Sequence, residues 1–168
     1  PTYYYLPEQK ALDTLNKKYA GKVYLFEQRP KGDWSNASNF GNFADFEDTD
    51  DMLKKILKDS DHSVDQKAFV KARLFDMLIA DFDRHADQWK WGVKKEGEKT
   101  IYVPIPTDRD QAFFKHNGLL LNLVISAVGL QFLQSYDDKI KNVKGYAFTN
   151  RNLDRWLTNT VTLAEWKS

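Results

Sequence analysis

Two acidic clusters, Asp83-Arg84-His85 and Asp108-Arg109-Asp110, stand on either side of a segment with the pattern of a β-hairpin. A helix, a loop bearing an Asp, a hairpin and a second loop bearing another Asp can place a proton acceptor and a metal ligand beside one phosphate. That order points to phosphoryl transfer, in which catalysis is mostly positioning and charge stabilisation.

Each cluster also has a structural competitor. Asp83 and Arg84 can cap the preceding helix and its neighbours, and for so short a motif that reading outweighs the chemical one about three to one; the ordered pairing with a second Asp loop brings the two near even. Asp108 and Asp110 can form a solvated turn after Pro106, or a calcium loop, although the carboxylates and glycine of an EF-hand are missing. Trp89 and Trp91 alternate on a strand, where they either stack on a ligand or cover one face of a sheet. His62 and His116 stand apart from the acid clusters, which favours exposure or capping over metal ligation. The chain has no cysteine, no His-Glu-x-x-His and no G-x-S-x-G, so nothing supports a zinc or serine hydrolase.

The elements that must position the two loops follow from periodicity and punctuation. Ser63 with Gln66 forms a capping-box pattern opening a helix to about Phe82. Its apolar face is expected at Ala68, Ala72, Phe75, Ile79 and Phe82, widened by Leu74 and Leu78. Gln88 to Lys94 and Thr100 to Ile105 read as antiparallel strands around the turn Lys95-Glu96-Gly97-Glu98, with Pro104 and Pro106 ending the second strand early. Upstream, a strand at Tyr3 to Leu6, a helix from Pro7 to Tyr19 stopped at Gly21, and a strand from Lys22 to Gln28 are expected. Asp48 or Thr49 caps a short helix from Asp50 to Leu57. Lys31 to Gly41 is a loop, and Leu119 to Leu133 a buried core helix, too short for the roughly 20 residues that span a bilayer.

Bulk properties bound these readings. A chain of 168 residues, 42% hydrophobic and 29% charged, describes an ordinary globular domain. With 25 basic and 24 acidic residues the net charge is +1, which gives no electrostatic case for nucleic-acid binding. The expected architecture is α+β and mainly helical: one domain over 1–168, with a strand-helix-strand segment at 1–30 and a helical lobe carrying the two loops at 48–168.

The helix, Asp83-Arg84-His85, hairpin and Asp108-Arg109-Asp110 together resemble the catalytic half of the protein-kinase-like superfamily. The likeness is to its atypical members: phosphatidylinositol kinases, HipA-type kinases, CotH-type spore-coat kinases and secretory-pathway casein kinases. In the lipid kinases the catalytic loop runs Asp-Arg-His, with a metal-binding Asn five residues after the Asp; here that position is Gln88, which keeps an amide oxygen on a longer arm. Pro106 to Phe113 resembles the Asp-x-Asp loop of CotH-like enzymes and lacks the Asp-Phe-Gly of ordinary protein kinases. Lys22 to Pro30 resembles the last strand of an amino-terminal lobe and its hinge.

The resemblance implies magnesium and ATP as cofactors and a hydroxyl acceptor as substrate. Asp83 would orient that hydroxyl and receive its proton, and Gln88 with Asp108 or Asp110 would hold magnesium. Arg84 or Arg109 would neutralise phosphate charge or the acids themselves, His85 would orient its loop, and Glu27, Gln28 and Arg29 would lie beneath adenine. Residues 1–22 are too short for a Gly-rich phosphate cover with its strand Lys. The chain is therefore expected to be a fragment or a degenerate member, covalently linked to neighbouring domains. Segments of similar wording are associated with large bacterial envelope proteins carrying metallophosphoesterase and outer-membrane barrel regions, which implies a periplasmic or outer-membrane-associated setting.

Overall fold

The structure is a computed structural model that describes residues 2–8, 10–26, 29–38, 41–115, 125, 127–130, 133, 135–140 and 142–167. The chain divides into two compact units, residues 1–30 and 31–168. Among the described residues it is α+β, with six helices and two small sheets. A mainly helical character is not established. Most of the expected helix at Leu119 to Leu133 lies outside the described residues.

In the first unit, β1 (Thr2–Leu6) pairs antiparallel with β2 (Lys22–Phe26), with Tyr4 opposite Tyr24. The expected helix from Pro7 to Tyr19 is instead a 3₁₀ segment, Lys10–Leu15, followed by one turn, α1 (Asn16–Tyr19). Asp13, at φ 34°, has left the helical region and breaks the run. Gly21 takes φ +70° just past the helix end and donates to Leu6 O at 2.8 Å, the stop expected of it.

The second unit is organised by a four-stranded sheet of β3 (Phe46–Asp48), β4 (His62–Val64), β5 (Trp89–Glu96) and β6 (Lys99–Pro106), in the order β3-β5-β6-β4. β5 and β6 form the expected hairpin, with Trp89 opposite Pro106 and Glu96 opposite Lys99. Its turn is tighter than expected: Gly97, at φ +64°, occupies the first central position of a two-residue loop, where positive φ is required. β3 joins β5 antiparallel and β4 joins β6 in parallel.

Pro104 and Pro106 do not end β6 early, and backbone parity explains why. Thr107 N–H points towards β5, to Gln88 O at 3.0 Å, whereas Thr100 N–H points the other way, to Asp61 O at 2.8 Å. Residues 104 and 106 share the parity of Thr100. β4 ends at Val64, opposite Tyr102, so among the described residues no strand there calls for the donors that proline lacks.

Between these strands lie α2 (Thr49–Lys58) and α3 (Gln66–Leu78). α3 is capped by Asp65, whose side chain accepts from Ala68 N–H at 2.9 Å; Ser63, expected as the cap, belongs to β4. Of the expected apolar face, Ile79 and Phe82 are buried and Ala72 packs against the core, but the rest of the buried face differs. Phe69, Val70, Arg73 and Asp76 are inside, while Leu74, Phe75 and Leu78 are 44%, 46% and 66% exposed. Phe69, Arg73 and Asp76 recur at helical spacing just as the apolar residues do, and it is Phe69 that packs on the tryptophans of the sheet. Phe69 lies 4.9 Å from the Trp89 ring and 6.0 Å from that of Trp91, in a core completed by Met52, Tyr102, Leu153 and Leu157. The tryptophans therefore fill the sheet's covered face. Leu153 and Leu157 come from and just beyond α5 (Arg151–Trp156); α4 (Val143–Tyr146) and α6 (Leu163–Trp166) complete the described helices. Among the described residues no helix is long and apolar enough to cross a membrane.

This assignment of faces sets an expectation for stability. Phe69→Ala should lower the free energy of unfolding by about 3–5 kcal/mol, whereas Leu78→Ala should change it by less than about 1 kcal/mol. Urea titrations followed by tryptophan fluorescence check this; equal losses would mean that the outer face of α3 is packed after all.

Candidate functional site

The end of α3, the loop before β5 and the loop after β6 meet around one carboxylate. Asp76, fully buried, accepts from Arg73 Nη1 at 3.2 Å, Arg84 Nε at 3.0 Å and Arg109 Nε at 3.0 Å. Arg73 turns its other edge to Asp154, at 2.7 and 3.1 Å, and donates to Tyr146 O at 2.9 Å. Arg84 is completely buried and also donates to Asp81, to Gln88 O at 3.0 Å and to Thr107 O. The Trp89 ring lies 5.4 Å from its guanidinium carbon. Three arginines thus meet three acids, Asp76, Asp81 and Asp154. A buried charge left unpaired would cost several kcal/mol, so this balance is what allows so much charge inside.

The chain reaches this arrangement through two residues at positive φ. After α3, Ala80 takes φ 56°, and Asp81 N–H turns back to Asp76 O at 2.8 Å. After β6, Asp108 takes φ 55°, a conformation tolerated better by Asp than by most residues. Asp81 holds one oxygen against Arg84 while its Oδ1 is buried without a hydrogen-bond partner among the described residues. Burial pushes its pKa up, against the opposing pull of Arg84 and with further help from Asp76.

Set against this network, the residues singled out from sequence separate into two groups. Arg84 and Arg109 are committed to internal acids; Arg109, about one-third exposed, also lies over the Phe75 ring at 4.9 Å. Asp83, half-buried, and Asp110, exposed, have no hydrogen bond or ion pair among the described residues. Gln88 and Asp108 are brought together, with Gln88 Nε2 3.5 Å from Asp108 Oδ2. Gln88 Oε1 meanwhile accepts from His85 N–H at 3.4 Å, so ligation of a cation by that oxygen requires the amide to turn over. His85 Nδ1 stands 3.9 Å from Asp87. Among the described residues no three His, Asp or Glu side chains gather as a metal cage.

Of the hinge residues, Glu27 and Gln28 lie outside the described residues, as does His116, and Arg29 is exposed in the first unit. His62 pairs with Tyr102 Oη at 2.7 Å, an internal partner rather than the exposure or cap expected for it. An open groove of about 760 Å³ lies elsewhere, lined by residues including Val64, Gln66, Ile101, Trp156 and Glu165, and none of the two Asp loops contributes to it. Its polar groups are largely satisfied by one another, as in Lys67 with Glu165 at 2.6 Å and Gln66 with Asn159 at 3.0 Å.

Asp76, Arg73 and Asp81 were not singled out from sequence. A signal existed, since Arg73 and Asp76 fall on the helical stripe of Phe69, but a pattern built only on apolar residues passes over it. No protein family, no curated protein and no solved structure matched this chain.

Two outcomes follow. Asp76→Asn should destabilise the fold by about 3–5 kcal/mol, because it strands buried guanidiniums, while Asp110→Asn should stay within about 0.5 kcal/mol. Asp81, with its folded pKa raised above the unfolded 3.8, contributes stability that is fully present below that value and lost as pH rises through the folded pKa. Wild-type stability measured relative to Asp81→Asn should therefore fall as pH rises above 3.8; a flat difference in chemical denaturation from pH 3.5 to 7 would remove the assignment.

Proposed function

We propose that this chain carries a kinase-like phosphoryl-transfer or magnesium-nucleotide-binding site of the atypical type, inactive as this isolated chain. The observation that carries the reading is the division of charge around the hairpin. Arg84 and Arg109 are spent on Asp76, which leaves Asp83, Asp108 and Asp110 without cationic partners among the described residues. The amide of Gln88 lies beside Asp108.

That donor set fits a hard cation held by one or two carboxylates. Magnesium is commonly bound in this way, completing its shell with water and substrate phosphates instead of a protein cage. When bound, the ion would supply charge neutralisation for the phosphates. Asp108, with Asp110 or the Gln88 oxygen, would hold it, and Asp83 would orient the acceptor hydroxyl and take its proton. Use of the Gln88 oxygen would require its amide to turn over and give up the hydrogen bond from His85 N–H. ATP is the nucleotide the resemblance implies, and Glu27, Gln28 and Arg29 would be its hinge contacts. This chain contains no G-x-G-x-x-G, so a phosphate cover would come from covalently linked neighbouring domains.

A second reading, a noncatalytic structural or protein-interaction domain of a bacterial envelope protein, is favoured by one observation. Leu74, Phe75 and Leu78 present an exposed apolar face on α3, directly behind the charged network.

Manganese titration monitored by paramagnetic broadening separates the two. Asp108→Asn should weaken ion binding by about tenfold, whereas Asp83→Ala should leave it unchanged and impair turnover in any active parent protein. Nucleotide binding by the isolated chain should be weak or undetectable. The absence of broadening at residues 83–88 and 107–110 in the wild type would leave the structural reading standing.

A further inference from the structure

Arg84 has five N–H donors fixed in one plane, and all five have acceptors. Nε meets Asp76 Oδ2 at 3.0 Å, and Nη2 meets Asp81 Oδ2 and, at 3.5 Å, Asp76 Oδ1. Nη1 divides its two between Gln88 O, at 3.0 Å, and Thr107 O. The acceptors on one edge belong to α3 and the turn after it. Those on the other edge are main-chain carbonyls of the two loops that carry the candidate chemistry.

We infer that Arg84 is a positioning residue that fastens the Asp83 and Asp108 loops into one rigid body. It sits one residue after Asp83, binds the carbonyl of Gln88, and binds the carbonyl of the residue preceding Asp108. One planar group thereby sets the backbone at all three positions. The Thr107 N–H to Gln88 O bond at 3.0 Å reinforces the same seam. With Arg84 0% exposed, water cannot substitute for a lost donor without entering the core. A lysine at this position has three donors radiating from a point and cannot reach both carbonyls while keeping both acids. The pinning of the loops stands on this geometry alone; its consequence for a bound cation rests on the reading given under Proposed function.

Amide hydrogen exchange on the full chain tests the inference, comparing wild type, Arg84→Lys and, as a control, Arg73→Lys. In Arg84→Lys, amides in 83–89 and 106–112 should exchange at least about tenfold faster together, as loss of charge-assisted hydrogen bonds implies, while the hairpin centre at 91–103 holds its protection. Arg73→Lys should loosen 142–157 instead. Should Arg84→Lys fail to fold, the wild type still decides: in mild denaturant the two loops should share one opening free energy, distinct from that of the hairpin. Loosening of one loop alone, or two unrelated opening energies, would overturn the inference.

A second readout separates positioning from bulk stability. Arg84→Lys should weaken manganese binding by about tenfold or more, as removal of a ligand's outer support does, at a temperature where hairpin protection is unchanged. Unchanged affinity in a variant with both loops loosened would overturn the positioning role. If the wild type binds no manganese, the proposed function fails, and the exchange comparison alone settles whether the loops are fastened.

Discussion

Everything at the functional end of this molecule depends on the carboxylate of Asp76. Its two oxygens serve three guanidiniums, two of them buried, and each guanidinium reaches a different part of the chain: α5 through Arg73, the hairpin's two flanks through Arg84, and the loop after β6 through Arg109. Such a network is not a cheap source of stability, since desolvating six charges costs much of what their attraction returns. What it provides is geometric exclusivity. An apolar core tolerates several packings, whereas a set of guanidinium planes and carboxylate forks with fixed hydrogen-bond directions tolerates very few.

The aromatic core and the charged network are two ends of one helix face. Phe69 packs against both tryptophans of β5, and one to two turns later Arg73 and Asp76 emerge from the same stripe among the loops. The hydrophobic contact fixes the rotation of α3 about its axis, and that rotation aims Asp76. Trp89 links the two ends, stacked in the core with Trp91 while its ring lies near the Arg84 guanidinium. A disturbance in the core would therefore reach the loops through the helix rather than through solvent.

The hairpin was legible because it is local: alternation on both sides of a single glycine turn is enough to define it. The pairing of β4 with β6 was not, because three residues, His62 to Val64, carry no period of their own and acquire strand form only from a neighbour about forty positions away. The helix at 66–78 was found, with Ala72 and the following Ile79 and Phe82 on the inside as expected, but the rest of its buried side was misjudged, since counting apolar residues favours Leu74, Phe75 and Leu78 over a stripe that contains an ion pair. The candidate acids were found as residue types. Their division into paired and unpaired sets was invisible, because it depends on where the arginines go, and both relevant arginines sit beside the very acids they do not bind.

The prolines of β6 bear on how this molecule behaves towards its own copies. Beyond Tyr102 the strand runs on without β4 beside it, so its main-chain groups on that side have no strand partner among the described residues. An ordinary strand end of that kind offers donors and acceptors in alternation, and self-assembly follows their register. Here the two donor positions on that side are Pro104, which is buried, and Pro106, so the unpaired edge accepts but cannot give. An incoming strand would have to leave its own carbonyls unanswered, which makes this overhang a poor template for aggregation.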